Sequence, residues 1–383
     1  MESKESVFNI KIITSVKDIE DIREFWEETQ YHPFTIIDFY LTIINVRSAI
    51  TKPYILVIMQ FNKPVAIAVC RIDKTDFKFR IGYLTFYKKS VKQLSVLCRG
   101  FLGNLSNEMY EFLIQEFQKQ LKTKEYDIVY FENLIFDSVL FKTITNIFPS
   151  HNKNKVIPTS KHYTLNLPEN IESFYKTKKP KHRYWLKRIG RVLEEEYSGK
   201  IEYKIYTKFD DIDQLCNDAE KIAMNTYHRG IGAGFIDNEE YRSRIALLAE
   251  KGWLRVYIMY IDEKPSAFWI GTLYKNIFYL DFTGYLEEYS KFEIGTVLFL
   301  KMIDDLCNLK VKTMDYGFGD ALYKQRFSDQ QWDEGDVYIY PSSLTGLFLK
   351  ILKDVETFVT GFLKSIFYKI NIKKIWRNRI KQK

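Results

Sequence analysis

One order of elements occurs twice along the chain, and it limits the fold more than any other feature. In the first half, Tyr54 to Phe61 (YILVIMQF) reads as a strand, Asn-Lys-Pro as a turn and Val65 to Ile72 (VAIAVCRI) as the returning strand. A helix is predicted over Asn107–Leu121, followed by the buried strand Asp127 to Glu132 (DIVYFE). In the second half, Arg255 to Ile261 is followed by the turn DEKP, Ser266 to Tyr274, a Lys-Asn turn and Ile277 to Thr283 (IFYLDFT). A helix over Gly295–Leu309 and the strand Thr313 to Gly317 complete the second set. Antiparallel strands joined by tight turns, then a crossover helix into a parallel neighbour, make a mixed α/β pattern. Its repetition suggests tandem duplication.

The expected organisation is therefore α/β (α+β). Residues 1–159 and 160–341 form two units, each a mixed, mainly antiparallel sheet flanked by helices, and 342–383 form a basic amphipathic helical tail. The length, 383 residues, suits two domains. Between the units, HYTLNLP reads as a short strand, and a helical stretch then runs to about Glu196, with Pro180 breaking or restarting it. Hydrophobic residues are 46% of the chain, enough for real cores, and most of the 16% aromatic content is assigned to core packing.

Cys70, Cys98, Cys216 and Cys307 lie far apart, without histidines at metal-ligand spacing, so they read as reduced, buried thiols and no metal is expected. The opening MESKESVFNIKIITSV lacks an apolar run of signal-peptide length, and no stretch has about 18 consecutive apolar residues. The expected location is cytoplasmic. The net charge of +8 is concentrated: Ser173–Arg191 and Gly361–Lys383 each hold eight Lys or Arg and no acid, so the rest of the chain is net negative.

The chemistry centres on Glu288 to Leu306, where a strand is followed by a helix with Gly295 at the junction. Glycine there lets backbone N–H groups approach an anion, and the helix N-terminus adds partial positive charge, a geometry that suits a pyrophosphate. Downstream stands Asp315-Tyr316-Gly317-Phe318-Gly319-Asp320, then Tyr323-Lys324 and Arg326-Phe327.

Taken in this order, these residues resemble the GNAT-like family found beside bacterial polysaccharide genes, often called cellulose-biosynthesis acetyltransferases, and more distantly the Fem-type aminoacyltransferases. Those relatives show a Pro-Gly turn before the helix, an Asp-x-Gly-x-Gly-Asp strand end, then Tyr-Lys and an aromatic. Here Ile294 stands at the proline position, and Glu293 sets an acid at the turn. The resemblance extends upstream to the basic stretch with Lys181, Arg183, Lys187 and Arg188 and to the opening DIREFWEETQYHPF.

The resemblance implies acyl transfer from acetyl-CoA or another acyl-CoA to an amine or hydroxyl of a sugar or glycan precursor. Phe292, Glu293, Ile294, Gly295 and Thr296 would hold the donor, and a strand N–H near Phe282 or Thr283 would face the thioester carbonyl. No Cys-His or Ser-His arrangement is visible, so direct attack is preferred to a covalent acyl-enzyme. Candidate carboxylates for the base are Asp281, Asp315 and Asp320, and Tyr323 is the candidate acid.

Structural readings stand beside these. Asp320 also fits a helix N-cap, and Asp315 a strand-end residue bonded to the following glycine turn. Lys324 and Arg326 would bind the acceptor or remain solvated. His228 and Arg229, in NTYHRGIGAGF, would touch the acceptor from a loop or simply mark a helix stop.

Two alternatives follow. Fem-type relatives take aminoacyl-tRNA, and the basic helix with Tyr184 and Trp185 fits that reading; nucleic acid is otherwise not expected. A non-catalytic scaffold of a polysaccharide assembly system would keep the fold alone. The first unit is read as degenerate or acceptor-binding. The tail, with Phe362, Phe367, Tyr368, Ile372 and Trp376 among cations, is expected either to touch the membrane peripherally or to dock on its own domain.

Overall fold

The computed structural model describes residues 8–81, 84–149, 152–153, 157, 159–226, 229 and 234–380. It divides into two compact units. The first comprises Met1–Gln30, Ser48–Ser160 and Asp333–Lys383, the second Tyr31–Arg47 and Lys161–Trp332. This division differs from the expected segments in two places, since residues 31–47 fall with the second unit and 333–383 with the first.

In chain order the strands are β1 (Asn9–Ile13), β2 (Ile50–Gln60), β3 (Lys63–Ile81), β4 (Leu84–Gly103) and β5 (Ile128–Ile135). Then come β6 (Thr159–Asn166), β7 (Ile201–Tyr206), β8 (Leu254–Ile261), β9 (Lys264–Tyr274), β10 (Ile277–Tyr285), β11 (Thr313–Phe318) and β12 (Gln330–Ile339).

In the first unit β1 to β4 run antiparallel in sequence. The helix Asn107–Lys122 then carries the chain into β5, parallel to β4 through Gln93–Val96 against Ile128–Phe131. Beyond β5, β12 returns antiparallel, with Glu334 opposite Ile135. The repeat is legible because Tyr54, Leu56, Ile58, Ala66, Ala68 and Cys70 form one buried face with Leu113, Phe117 and Phe131.

The ladder between β3 and β4 is interrupted: Ala68 pairs with Phe101 and Cys70 with Val96, so Leu97 to Gly100 loop out. Arg99 there takes a left-handed backbone, φ 59°. Its guanidinium reaches Glu334, whose side chain is 1% exposed. Just past the last β4–β5 pair, Val96 with Phe131, this buried ion pair joins β4 to β12.

The second unit repeats the scheme. β7, β8, β9 and β10 are antiparallel, β11 is parallel to β10, and β6 is antiparallel to β11. On one face pack the helices Ile171–Lys176, Pro180–Glu196 and Ile294–Asn308, burying Phe174, Leu193, Leu298, Phe299 and Met302. Pro180 occupies the first helical turn, where its missing N–H costs nothing. On the other face, Ile212–Ala223 and Glu239–Glu250 bury Leu215, Ala219, Ile245 and Leu248.

The tail is one helix, Leu344–Ile380, with Leu349 buried against Phe77, Val91 and Ile128. The side chains of Phe367, Tyr368, Ile372 and Trp376 lie outside the described set. No helix among the described residues is long and apolar enough to cross a membrane.

Candidate active site

The site arises where β10 and β11 part. Their parallel pairing covers only Ile277–Tyr279 against Thr313–Asp315. At the same level a bulge interrupts β10, because Leu280 pairs with Gly271 and Phe282 with Ile270, leaving Asp281 as the extra residue. Beyond the bulge the pairs Gly284/Phe268 and Leu286/Ser266 keep β10 on β9, with Leu286 N–H donating to Ser266 O at 2.8 Å. Alternation along an antiparallel ladder then turns the N–H groups of Thr283 and Tyr285 away from β9, into the gap.

The gap holds a cavity of about 410 Å³, lined by Thr283, Gly284, Tyr285, Gly295, Thr296 and Tyr323 among others. Trp269, Phe299 and Phe327 form its apolar wall, with Trp269 edge-on to Tyr323 at 5.4 Å and Phe299 stacked on Phe327 at 4.5 Å. Asn225, Thr226, Glu287 and Ser290 supply polar lining. Trp269 is core and cavity wall at once.

At one end stands the N-terminus of helix Ile294–Asn308. Glu293, in the left-handed region at φ 55°, accepts from Thr296 N–H at 2.8 Å and Val297 N–H at 3.0 Å through its carbonyl. The N–H groups of Ile294 and Gly295 find no acceptor among the described residues. The Glu293 carboxylate accepts from Thr296 Oγ1 at 3.2 Å and lies 4.0 Å from Arg326. A Cβ on Gly295 would meet the Tyr285 ring at 3.1 Å, so glycine permits the close approach. Phe292 and Ile294 point into the core.

The other sequence candidates distribute as follows. Asp281 is buried away from the cavity, 3.5 Å from Arg244 and accepting from Thr272 Oγ1 at 3.0 Å. Burial raises its pKa, with Arg244 and Thr272 opposing. Phe282 packs against Phe235 and Tyr241 on the helical face opposite the cavity. Asp315 accepts from Gly317 N–H at 2.7 Å and pairs with His162 at 2.7 Å. Asp320 accepts from Tyr163 OH at 2.9 Å, and the helix Leu322–Phe327 takes no side-chain cap. Arg229 is held by Glu220 and Phe235 O, and His228 lies outside the described residues.

Tyr323 makes no hydrogen bond through its hydroxyl among the described residues, and burial raises its pKa, so the phenol keeps its proton. Lys324 is buried and donates to Phe318 O at 2.6 Å. Burial pushes it down to about 8 from the ordinary 10.5, with Asp315 and Asp320 opposing. Because the folded state then releases this proton first, between pH 8 and 10.5 the unfolded chain binds more protons and stability rises with pH; below pH 8 the cost of burying the ammonium is fully present. Urea unfolding at pH 8 and 9.5 is expected to show that rise in the native protein and not in Lys324→Met; an identical slope in both would refute it.

Beside the cavity, Phe327 and Trp185 carry cations. Arg326 lies 5.1 Å over Trp185, Lys178 5.8 Å over Phe327, and His182 stacks on both rings. Burial lowers the His182 pKa, and Arg326 and Lys178 add to this. The sequence reading missed Tyr285, Glu287 and Phe299. A strand continuing at i, i+2 beyond Thr283 was the available signal for Tyr285.

Residues 180–325 match the model of a family described as Acetyltransferase (GNAT) domain. The chain is similar to the crystal structure of FemX at 8% identity, with 89% of this chain and 100% of that one covered and a TM-score of 0.57. It is similar also to L-PGS from Bacillus licheniformis at 13% identity, with 91% and 98% covered and a TM-score of 0.50. No curated protein matches it in sequence. The fold is thus mixed α/β and GNAT-like, and the matched domain makes the protein a transferase.

Proposed function

We propose that the second unit transfers an acyl group from an acyl-CoA, acetyl-CoA being the simplest, to an amine or hydroxyl of a sugar or glycan precursor by direct attack. The observation that carries this reading is the cavity at the β10–β11 parting, with N–H groups of Thr283 and Tyr285 turned into it and the helix N-terminus at one end.

The donor would supply an activated thioester carbonyl. Thr283 N–H stabilises charge developing on the carbonyl oxygen, a contribution of roughly 3–4 kcal/mol in comparable sites. Ile294 and Gly295 N–H, with Thr296 and Ser290, receive phosphate oxygens. Tyr323 gives a proton to the leaving thiolate. The cavity carboxylate is Glu287, exposed at the rim, and it replaces Asp281 as the group that receives the acceptor's proton, because Asp281 faces Arg244.

Calorimetry with acetyl-CoA and CoA tests the donor: binding by both is expected, and no heat with no thermal shift would remove acyl-CoA. Glu293→Gly is expected to tighten either by about two- to fivefold, since an acid leaves a helix N-terminus; unchanged affinity would place the phosphates elsewhere.

A second reading is favoured by the cations around Phe327 and Trp185. Resemblance to Fem-type transferases implies aminoacyl-tRNA as donor. Affinity for charged tRNA would then fall steeply with salt and weaken on neutralising Lys178 and Arg326.

A further inference from the structure

The helix Leu344–Ile380 docks on the first unit with one face and leaves another open. Leu349 is buried, Phe348 meets Tyr87 edge-on at 5.4 Å, and Lys353 lies 5.5 Å over Tyr338. The acids of this stretch are paired within the helix, Asp354 with Lys350 at 2.7 Å and Glu356 with Lys353 at 3.2 Å. Ile351, Val355, Phe358, Phe362 and Ile366 are nevertheless exposed, Phe358 by 67% and Phe362 by 58%. Their spacing of three and four places them on one stripe. From Gly361 to Ile380 the same helix carries six Lys or Arg and no acid.

We propose that this helix adsorbs the protein onto an anionic membrane surface, lying in the plane of the interface with the Ile351–Ile366 stripe at the headgroup–acyl boundary and the cationic stretch on lipid phosphates. Charge selects the occupant. An apolar stripe alone would suit any greasy partner, but one continuing into a run of cations matches a surface that is apolar below and anionic above.

A second copy of the chain fits less well. Leu344, Phe348, Ile351, Val355, Phe358 and Phe362 keep an alternating four–three spacing, which then runs into Ser365 and Lys369. That is shorter than the three to four heptads a coiled coil needs, and half of it is phenylalanine in place of the branched residues such seams prefer. Pairing would also set one copy's cations against the other's. The proposal is independent of the acyl-transfer reading.

The test is flotation of the full-length protein with vesicles of phosphatidylcholine, with and without about one-third phosphatidylglycerol, at low salt and at about 0.5 M salt. Binding is expected only to the anionic vesicles, weakened by salt. The double variant F358D/F362D should melt as the native protein does, its changed side chains being exposed, and lose about tenfold in bound fraction. Lys373→Gln with Lys374→Gln and Arg377→Gln should weaken binding without abolishing the response to the stripe. Absence of binding to either vesicle would overturn the proposal. So would equal binding by the native protein and the double variant, or a concentration-dependent dimer that the double variant abolishes while vesicles are ignored.

Discussion

Tyr323→Phe is expected to lower kcat for acyl transfer by about 100-fold or more while leaving the donor's KM and the melting temperature nearly unchanged. General acids contribute about 10²–10⁴ in rate, and Tyr323 is the cavity-lining phenol that sits against Trp269 and Tyr316, its hydroxyl without a hydrogen-bond partner among the described residues. The substitution removes one oxygen and leaves both ring contacts, so a structural role would barely register. Burial raises the phenol's pKa, so it stays protonated through the alkaline range and should impose no descending limb on a pH–rate profile below about pH 10. Steady-state kinetics over pH 6–10 decide the matter. Full activity in Tyr323→Phe would return the leaving-group proton to solvent.

Arg99→Ala is expected to destabilise the first unit by about 3–5 kcal/mol, since Glu334 would be left as a buried carboxylate without its cation. For a unit of this size that corresponds to a fall on the order of 10 °C in its thermal transition. Replacing both partners together, Arg99→Leu with Glu334→Leu, should recover most of the loss, because a hydrophobic pair of similar volume avoids the desolvation of two charges. A single Arg99→Ala that melts with the native protein would show the pair to be unimportant.

The elements repeated in both units were legible because their strands are continuous apolar runs between turn residues. β4 and β12 were not. β4 spends its first half in a hairpin whose residues are mostly exposed, with Val91 buried under the tail helix and lysines at 88, 89 and 92, and so shows no period worth reading. β12 carries Asp333, Glu334 and Asp336, and Glu334 is nonetheless a core residue, paired with Arg99 from more than two hundred positions away.

The site was half legible for a similar reason. Gly295, Thr296, Thr283 and Tyr323 follow from element order, since each lies at a junction the fold must place near the β10–β11 gap. Asp281 was misassigned because a bulge adds one residue and reverses which face a side chain takes, and nothing in IFYLDFT marks it. Lys324, expected to bind the acceptor or remain solvated, is instead buried on the Phe318 carbonyl.

The pairing of β5 with β12 also sets a timetable. β5 ends at Ile135 and its antiparallel neighbour begins at Gln330, so nearly the whole second unit leaves the ribosome first. At roughly 5–20 residues per second the β5 edge waits on the order of ten to forty seconds for its partner. During that interval Glu334 does not yet exist to meet Arg99, and an unpaired strand edge is open to association with other nascent chains. The second unit, whose strands β6 to β11 are already complete, is free to fold first, and the earlier-made half of the molecule becomes the last to close.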